Sequence, residues 1–227
     1  MSHEPRDGVL GEAHRAALTY VATAQPVWDI EPGRRVLLHF HPDRPTYGAL
    51  DVHRRRIGAA PRFGSAHLRL RERVLARTTC CFPDSVFAPT AFAPAQAAGG
   101  LVAAALAADL DVLDEYVEAQ VHGPVRLPDD VEAIVLDPSH RGTSVEEAAA
   151  GLGCPVEWHG GFRLEPAELA RHVAYRGPEP VTLGLALAGE GALDPAVLGA
   201  AAFSARHDPQ VLKEVWHLLA RFGSDEC

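Results

Sequence analysis

Alternating apolar and polar residues predict short strands through the middle of the chain. Residues 65–71 alternate small or apolar side chains with His67, Arg69 and Arg71, which is typical of a half-buried strand. Apolar runs predict further strands at residues 36–41, 48–52, 74–82, 117–122, 131–136 and 156–158. We expect the segment at 74–82 to pair with the strand at 65–71.

Helical periodicity appears towards both ends. Residues 9–24 predict an amphipathic helix, and the helix starting at Asp208-Pro209 places Val211, Leu212, Val215, Leu218 and Leu219 on its apolar side. Residues 165–174 and 194–202 are further helix candidates, and a loop at 89–100 precedes one or two helices within 101–116. A helix capped by Thr143 or Ser144 carries Glu146 and Glu147 in its first turn.

Irregular strands between terminal helices indicate an α+β protein rather than a repeating βαβ pattern. We predict one domain, residues 1–227, with an N-terminal helical region at 1–30, a core at 31–165 and a C-terminal helical region at 166–227. The length of 227 residues and a hydrophobic content of 47% suffice for a sizeable core.

Charge and cysteine content narrow the function classes. The net charge of -9 disfavours a strong, general electrostatic surface for nucleic-acid binding. The longest apolar stretch, residues 97–110, is interrupted by Gly99, Gly100 and Asp109, so we expect no membrane span. The first residues lack the pattern of a secretory signal, and the four cysteines lack zinc or disulfide spacing. We therefore expect a cytoplasmic protein.

Two histidines end the predicted strand at 36–41. His39 and His41 share one strand face, and Pro42 then ends the strand. They are either structural residues at a strand end or ligands of a divalent metal in a hydrolase, with Asp43 as a third ligand. His67, His122 and His159 are other candidates for the remaining ligands.

A basic turn follows the next strand. His53-Arg54-Arg55-Arg56 is either a solvated turn or a segment whose arginines hold a phosphate.

Several motifs support a family resemblance. The chain contains His41-Pro42-Asp43-Arg44, Arg44-Pro45-Thr46-Tyr47-Gly48-Ala49-Leu50, Arg62-Phe63-Gly64-Ser65 and Glu118-Ala119-Gln120-Val121-His122-Gly123-Pro124. Over about residues 36–165 it resembles an uncharacterised bacterial domain family of unknown function. The order of the motifs is similar to that of the NAD-dependent ADP-ribosyltransferases. This resemblance implies their fold, with mixed, mostly antiparallel sheets, and transfer of ADP-ribose from NAD to an unidentified acceptor.

The resemblance also implies roles for particular residues. Glu118 would stabilise the oxocarbenium-like ribose formed when the nicotinamide bond breaks. His41 would hydrogen-bond a ribose of NAD, and Tyr47 would stack on the pyridinium ring. These three residues form the predicted catalytic set.

Further residues complete the predicted NAD site. Arg62 or Arg77 would pair with the pyrophosphate, Ser65 would contact NAD, and Gln120 would position the acceptor. NAD is a substrate in this interpretation, and we expect no metal cofactor. Arg44 is both the last residue of the first motif and the first residue of the second. The connection from Arg44 to Tyr47 is therefore shorter than in the family that the chain resembles. The shortening leaves a non-catalytic binding module derived from the enzyme family as an alternative.

Overall fold

Two small sheets organise the computed structural model, which describes residues 45–227. Sheet 1 has the order β1-β5-β3-β4, with antiparallel pairs throughout. Its strands are β1 (Thr46–Leu50), β3 (Thr78–Cys81), β4 (Phe92–Pro94) and β5 (Val117–Val121). Sheet 2 has the order β2-β6-β7, in which β2 and β6 are antiparallel and β6 and β7 are parallel. Its strands are β2 (His67–Leu70), β6 (Val131–Leu136) and β7 (Val156–Trp158).

Seven α-helices accompany the sheets within residues 45–227. They are α1 (Gly99–Ala107), α2 (Ser144–Ala150), α3 (Pro166–Leu169), α4 (Val173–Arg176), α5 (Pro178–Ala188), α6 (Pro195–Phe203) and α7 (Pro209–Phe222). Short 3₁₀ turns also occur, including Glu72–Arg77 and Ser85–Phe87 before α1 and Ala170–His172 between α3 and α4. None of the helices in this part of the chain combines the length and apolar character that a bilayer crossing needs.

Sheet 1 buries one apolar face under α1. Val117 and Ala119 of β5 pack with Cys80 of β3 and with Leu101 and Ala105 of α1. Because side chains alternate along a strand, Glu118 and Gln120 lie on the opposite face of β5. The apolar packing therefore fixes which way these two polar side chains point.

The largest core cluster lies among the C-terminal helices. Leu212, Val215 and Trp216 of α7 pack there with Leu169 of α3 and Val181 of α5. The indole Nε1 of Trp216 also donates to the carbonyls of Pro61 and Arg62, both at 3.0 Å. These bonds join α7 to the connection between β1 and β2.

The predicted α+β class is confirmed, and most predicted elements are present. Strands lie at or near residues 48–52, 65–71, 117–122, 131–136 and 156–158, and helices lie at 194–202 and after Asp208-Pro209. Thr143 caps α2, since its hydroxyl accepts the Val145 backbone N–H at 3.3 Å. The predicted helix at 9–24 and strand at 36–41 lie outside the described residues.

The expected pairing of residues 74–82 with 65–71 is wrong. Residues 72–77 form a 3₁₀ turn that buries Val74, and the Thr78 hydroxyl donates to the Val74 carbonyl at 2.8 Å. This turn separates the neighbouring strands, so β2 pairs with β6 in sheet 2 while β3 pairs with β4 and β5 in sheet 1.

Other boundaries also differ from the sequence predictions. The helix expected within 101–116 ends at Ala107, and the loop expected at 89–100 contains β4. The helix expected at 165–174 is divided into α3, a 3₁₀ turn and α4. Helix α5 was not predicted, because Pro178, Pro180 and Gly184 obscure its helical pattern.

Candidate functional site

A cluster of buried polar side chains covers one face of sheet 1. Its members, here called the polar face, are Thr79 and Cys81 of β3 and Glu118 and Gln120 of β5. Cys81 lies opposite Glu118, and Thr79 lies opposite Gln120. Directly opposed residues point to the same side of a sheet, so the alignment of β3 with β5 brings these four side chains together.

Donors from the protein hold Glu118 in place. Its carboxylate accepts the Ser85 backbone N–H at 3.0 Å and also the side-chain amide of Gln120. The Cys81 thiol lies 3.7 Å from Oε1 of Glu118. Only 4% of Glu118 is exposed. The polar face thus presents a carboxylate whose orientation is fixed in a low-dielectric setting, where electrostatic interactions are strong.

The remaining groups of the polar face are connected to each other. The Thr79 hydroxyl donates to Oε1 of Gln120 at 3.2 Å and lies 3.2 Å from Nε2 of His122. Burial, and secondly the charge of Glu118, raises the pKa of the Cys81 thiol to about 12. Cys81 is therefore a neutral thiol at physiological pH, which makes it a poor nucleophile.

Exposed aromatic side chains border this cluster. Tyr47 of β1 lies opposite Gln120 and is 51% exposed, and Phe92 of β4 lies opposite Cys81 and is 46% exposed. Phe87 belongs to the turn whose first residue binds Glu118. Phe63 packs edge-to-face on Tyr116 with 5.6 Å between ring centroids, and the Tyr116 hydroxyl donates to Asp84, the residue before Ser85. We call Tyr47, Phe63, Phe87 and Phe92 the aromatic rim.

The two arginines predicted to bind the pyrophosphate of NAD both pair with groups of the protein itself. Arg62 pairs with Asp114 through Nη1. Arg77 donates through Nη1 to the His122 carbonyl at 2.8 Å, and through Nη2 to Asp130 at 2.8 Å. An incoming pyrophosphate would compete with these carboxylates for the guanidinium groups.

Ser65 contacts two histidines. Its hydroxyl lies 3.4 Å from Nε2 of His140, and its carbonyl accepts from Nε2 of His159 at 2.6 Å. The structure thus brings Glu118, Gln120 and Tyr47 together on sheet 1, whereas Ser65 packs at residues that follow β6 and β7.

The predicted metal ligands His39 and His41, with Asp43, lie outside the described residues, as does the proposed ribose contact of His41. Across residues 45–227, no group of three or more His, Cys, Asp or Glu side chains is arranged to hold a metal ion. His159, one of the other ligand candidates, accepts the Gly161 N–H with Nδ1 at 2.9 Å. Its two ring nitrogens are therefore both used in hydrogen bonds within the protein.

Comparison with known proteins identifies the family. The model for the family described as "Protein of unknown function (DUF3626)" matches residues 39–110 and 95–222. The chain belongs to the DUF3626 family. The DUF3626 match confirms the predicted membership in a domain family of unknown function and includes Tyr47, Glu118 and Gln120. A search of curated proteins found no match.

Two sets of residues at this site were not among the predicted site residues. Thr79 and Cys81 join the polar face only through the pairing of β3 with β5. Phe87 and Phe92 join the rim through the Ser85–Phe87 turn and β4, both in segments that were not predicted as regular structure. Thr79 and Cys81 lie within the strand predicted at 74–82, but the sequence does not show which strand pairs with it.

Proposed function

We propose that this protein transfers ADP-ribose from NAD to an acceptor, with Glu118 as the carboxylate that stabilises the transition state. The observation that carries the proposal is a single arrangement: a buried carboxylate, fixed by two donors, on a sheet face bordered by exposed aromatic side chains. A planar, cationic substrate that reacts through a positively charged sugar requires both features.

The reaction explains the need for a fixed carboxylate. When the bond between ribose and nicotinamide breaks, its electron pair leaves with nicotinamide and the ribose becomes oxocarbenium-like. An oxygen or nitrogen lone pair of the acceptor then forms the new bond to that carbon, and the acceptor loses a proton. Glu118 would stabilise the positive charge, which is greatest in the transition state. Gln120 and the Ser85 amide would keep the carboxylate oriented throughout.

The aromatic rim would bind the flat parts of NAD. Tyr47 lies one strand away from Glu118, and its exposed ring offers a face for the nicotinamide. Phe92 lies on the other side of β3 and offers a second face. Gln120 remains our candidate for positioning the acceptor, because its amide joins Glu118 to Thr79.

The same proposal covers the finer features implied by the family resemblance. It includes the fold of the ADP-ribosyltransferases for the two sheets, NAD and an unidentified acceptor as partners, and a cytoplasmic location. The antiparallel pairing throughout sheet 1, and between β2 and β6 of sheet 2, supports the first of these.

Release of nicotinamide from labelled NAD tests the proposal. We expect the wild type to release nicotinamide and Glu118→Gln to lose about 100-fold or more of this activity, since the charge is lost while an acceptor oxygen remains. Glu190→Gln is the matched control, because Glu190 is exposed in the turn after α5. A wild type that neither binds nor cleaves NAD would refute the proposal. Saturable NAD binding without cleavage would favour the non-catalytic binding module instead.

A further inference from the structure

A cavity of about 450 Å³ lies between the end of β1 and sheet 2. Residues of the turn after β1 form one wall, and residues of β2, β6 and β7 form the other. The side chains that give the cavity its chemistry are Arg54, Arg55, Arg56, His67 and Arg69. Its volume falls within the range of small-molecule sites.

The cavity is basic although the protein carries a net charge of -9. Four arginines line it, against the two carboxylates Asp51 and Glu157. Arg69 binds Glu157 through both ends of its guanidinium, at 3.0 and 2.6 Å, and Arg55 pairs with Glu115 outside the cavity lining. These two arginines are therefore neutralised by protein partners.

The other two arginines retain their binding capacity. The Arg54 guanidinium makes no hydrogen bond or ion pair with any residue in the described part of the chain. The backbone N–H of Arg56 donates to Glu226 at 2.6 Å, but the Arg56 guanidinium lies 3.7 Å from that carboxylate through Nε, and the side chain is 73% exposed. An exposed pair at this distance contributes little, so a better acceptor would displace it.

Arg54 is also held in a strained backbone conformation. Its φ of 55° lies in the left-handed region, which residues other than glycine and asparagine rarely adopt. The turn is fixed by the Arg55 N–H, which donates to the Asp51 carboxylate at 3.0 Å. A strained residue with an unpaired charged side chain beside a cavity is an arrangement that recurs at ligand sites.

His67 supplies a neutral donor in the same cavity. Its ring makes no hydrogen bond with the described residues, and Nδ1 is buried. Burial, with smaller contributions from His159 and Arg69, lowers the pKa of His67 to about 4. The ring is therefore neutral at pH 7, with one N–H to donate. Gly58, with a φ of 97°, permits the close packing of the turn, because a Cβ there would lie 2.9 Å from Nδ1.

We propose that this cavity binds a phosphorylated small molecule, with Arg54 as the main phosphate contact and Arg56 and His67 as further donors. Phosphate oxygens accept several hydrogen bonds at once and match the forked geometry of a guanidinium. A cationic ligand would be repelled, because arginines outnumber carboxylates in the lining of this cavity. The inference does not depend on ADP-ribose transfer, since its residues belong neither to the polar face nor to the aromatic rim.

Titration of the full chain with inorganic pyrophosphate in metal-free buffer, followed by calorimetry and by ³¹P line broadening, tests the site. We expect saturable binding by the wild type and about tenfold or greater weakening in Arg54→Asn, because a charged hydrogen-bond donor is lost. Asparagine tolerates the left-handed conformation, so the turn is retained. Arg54→Lys keeps the charge but not the fork, and its affinity should fall between the other two.

The matched control is Arg206→Asn. Arg206 is an exposed arginine in the loop after α6, remote in sequence from the cavity lining, and pyrophosphate binding should be unchanged by its replacement. Absence of pyrophosphate binding by the wild type would overturn the inference. Equal binding by the wild type, Arg54→Asn and Arg54→Lys would overturn it as well, and thermal unfolding of each variant would verify that the compared proteins are folded.

Discussion

Replacing His217 with leucine is expected to stabilise the protein. His217 lies on α7 and is only 4% exposed. Both of its ring nitrogens are buried without a hydrogen-bond partner among residues 45–227. In the unfolded chain, water satisfies these two nitrogens, so folding loses their hydrogen bonds without replacement. Leucine is an apolar side chain of comparable size and avoids this loss.

The expected gain follows from the cost of an unpaired buried polar group. That cost is about 1–3 kcal/mol, so we expect His217→Leu to raise the free energy of unfolding by a similar amount. For a protein of this size, each kcal/mol corresponds to about 2–4 °C in Tm. His207→Leu is the matched control, because His207 lies in the partly exposed loop before α7 and its replacement should change stability by less than about 0.5 kcal/mol.

The difference between wild type and His217→Leu should grow on acidification. Burial lowers the pKa of His217 to about 3, and Arg62, Arg176 and Lys213 add to the effect. Between pH 6.5 and this value the unfolded state binds a proton that the folded state does not. As the pH falls through this range, protonation of His217 in the unfolded state lowers the free energy of unfolding of the wild type by about 1.4 kcal/mol per pH unit. The variant lacks this group and does not lose that stability. Urea unfolding at several pH values measures both effects. A variant less stable than the wild type, or a pH-independent difference, would refute the reasoning.

Three further substitutions test the packing by thermal or urea unfolding. Gly223→Ala should destabilise by about 1–3 kcal/mol, because its Cβ would lie 2.6 Å from the Leu219 carbonyl oxygen. Gly100→Ala lies on α1, where the new Cβ would have no described residue outside its own helix within 4 Å, and it should instead stabilise by about 0.5–1 kcal/mol. Equal effects at the two glycines would contradict this account. Asp137→Ala should cost about 2–4 kcal/mol, since it leaves two backbone N–H groups without their acceptor, while the exposed Asp225→Ala should be near neutral.

Local patterns in the sequence were sufficient for several elements. Thr143 marks the start of α2 because its hydroxyl caps the helix, and the apolar spacing of Leu212, Val215 and Leu218 identifies the buried side of α7. These features depend on residues within a few positions of one another. Glu118 was also identified as a candidate from its motif, and its strand was predicted correctly.

Contacts between segments distant in the sequence could not be predicted from such local patterns. The partner of β3 is decided by the turn at Glu72–Arg77, which carries the chain from one sheet to the other. The arginines show the same limit: Arg62 and Arg77 have carboxylate partners, whereas Arg54 has none in the part of the chain that the structure describes. Nothing in the local sequence separates the three, because their partners are brought close only by folding.

Titration of the purified protein with NAD tests the central claim most directly. The proposed site on sheet 1 predicts saturable binding at one site per chain and a loss of affinity in Tyr47→Ala, because an exposed stacking surface beside Gln120 is removed. Val86→Ala, a change at another exposed apolar residue in the turn after β3, should leave the affinity nearly unchanged. Absence of NAD binding by the wild type would contradict the account.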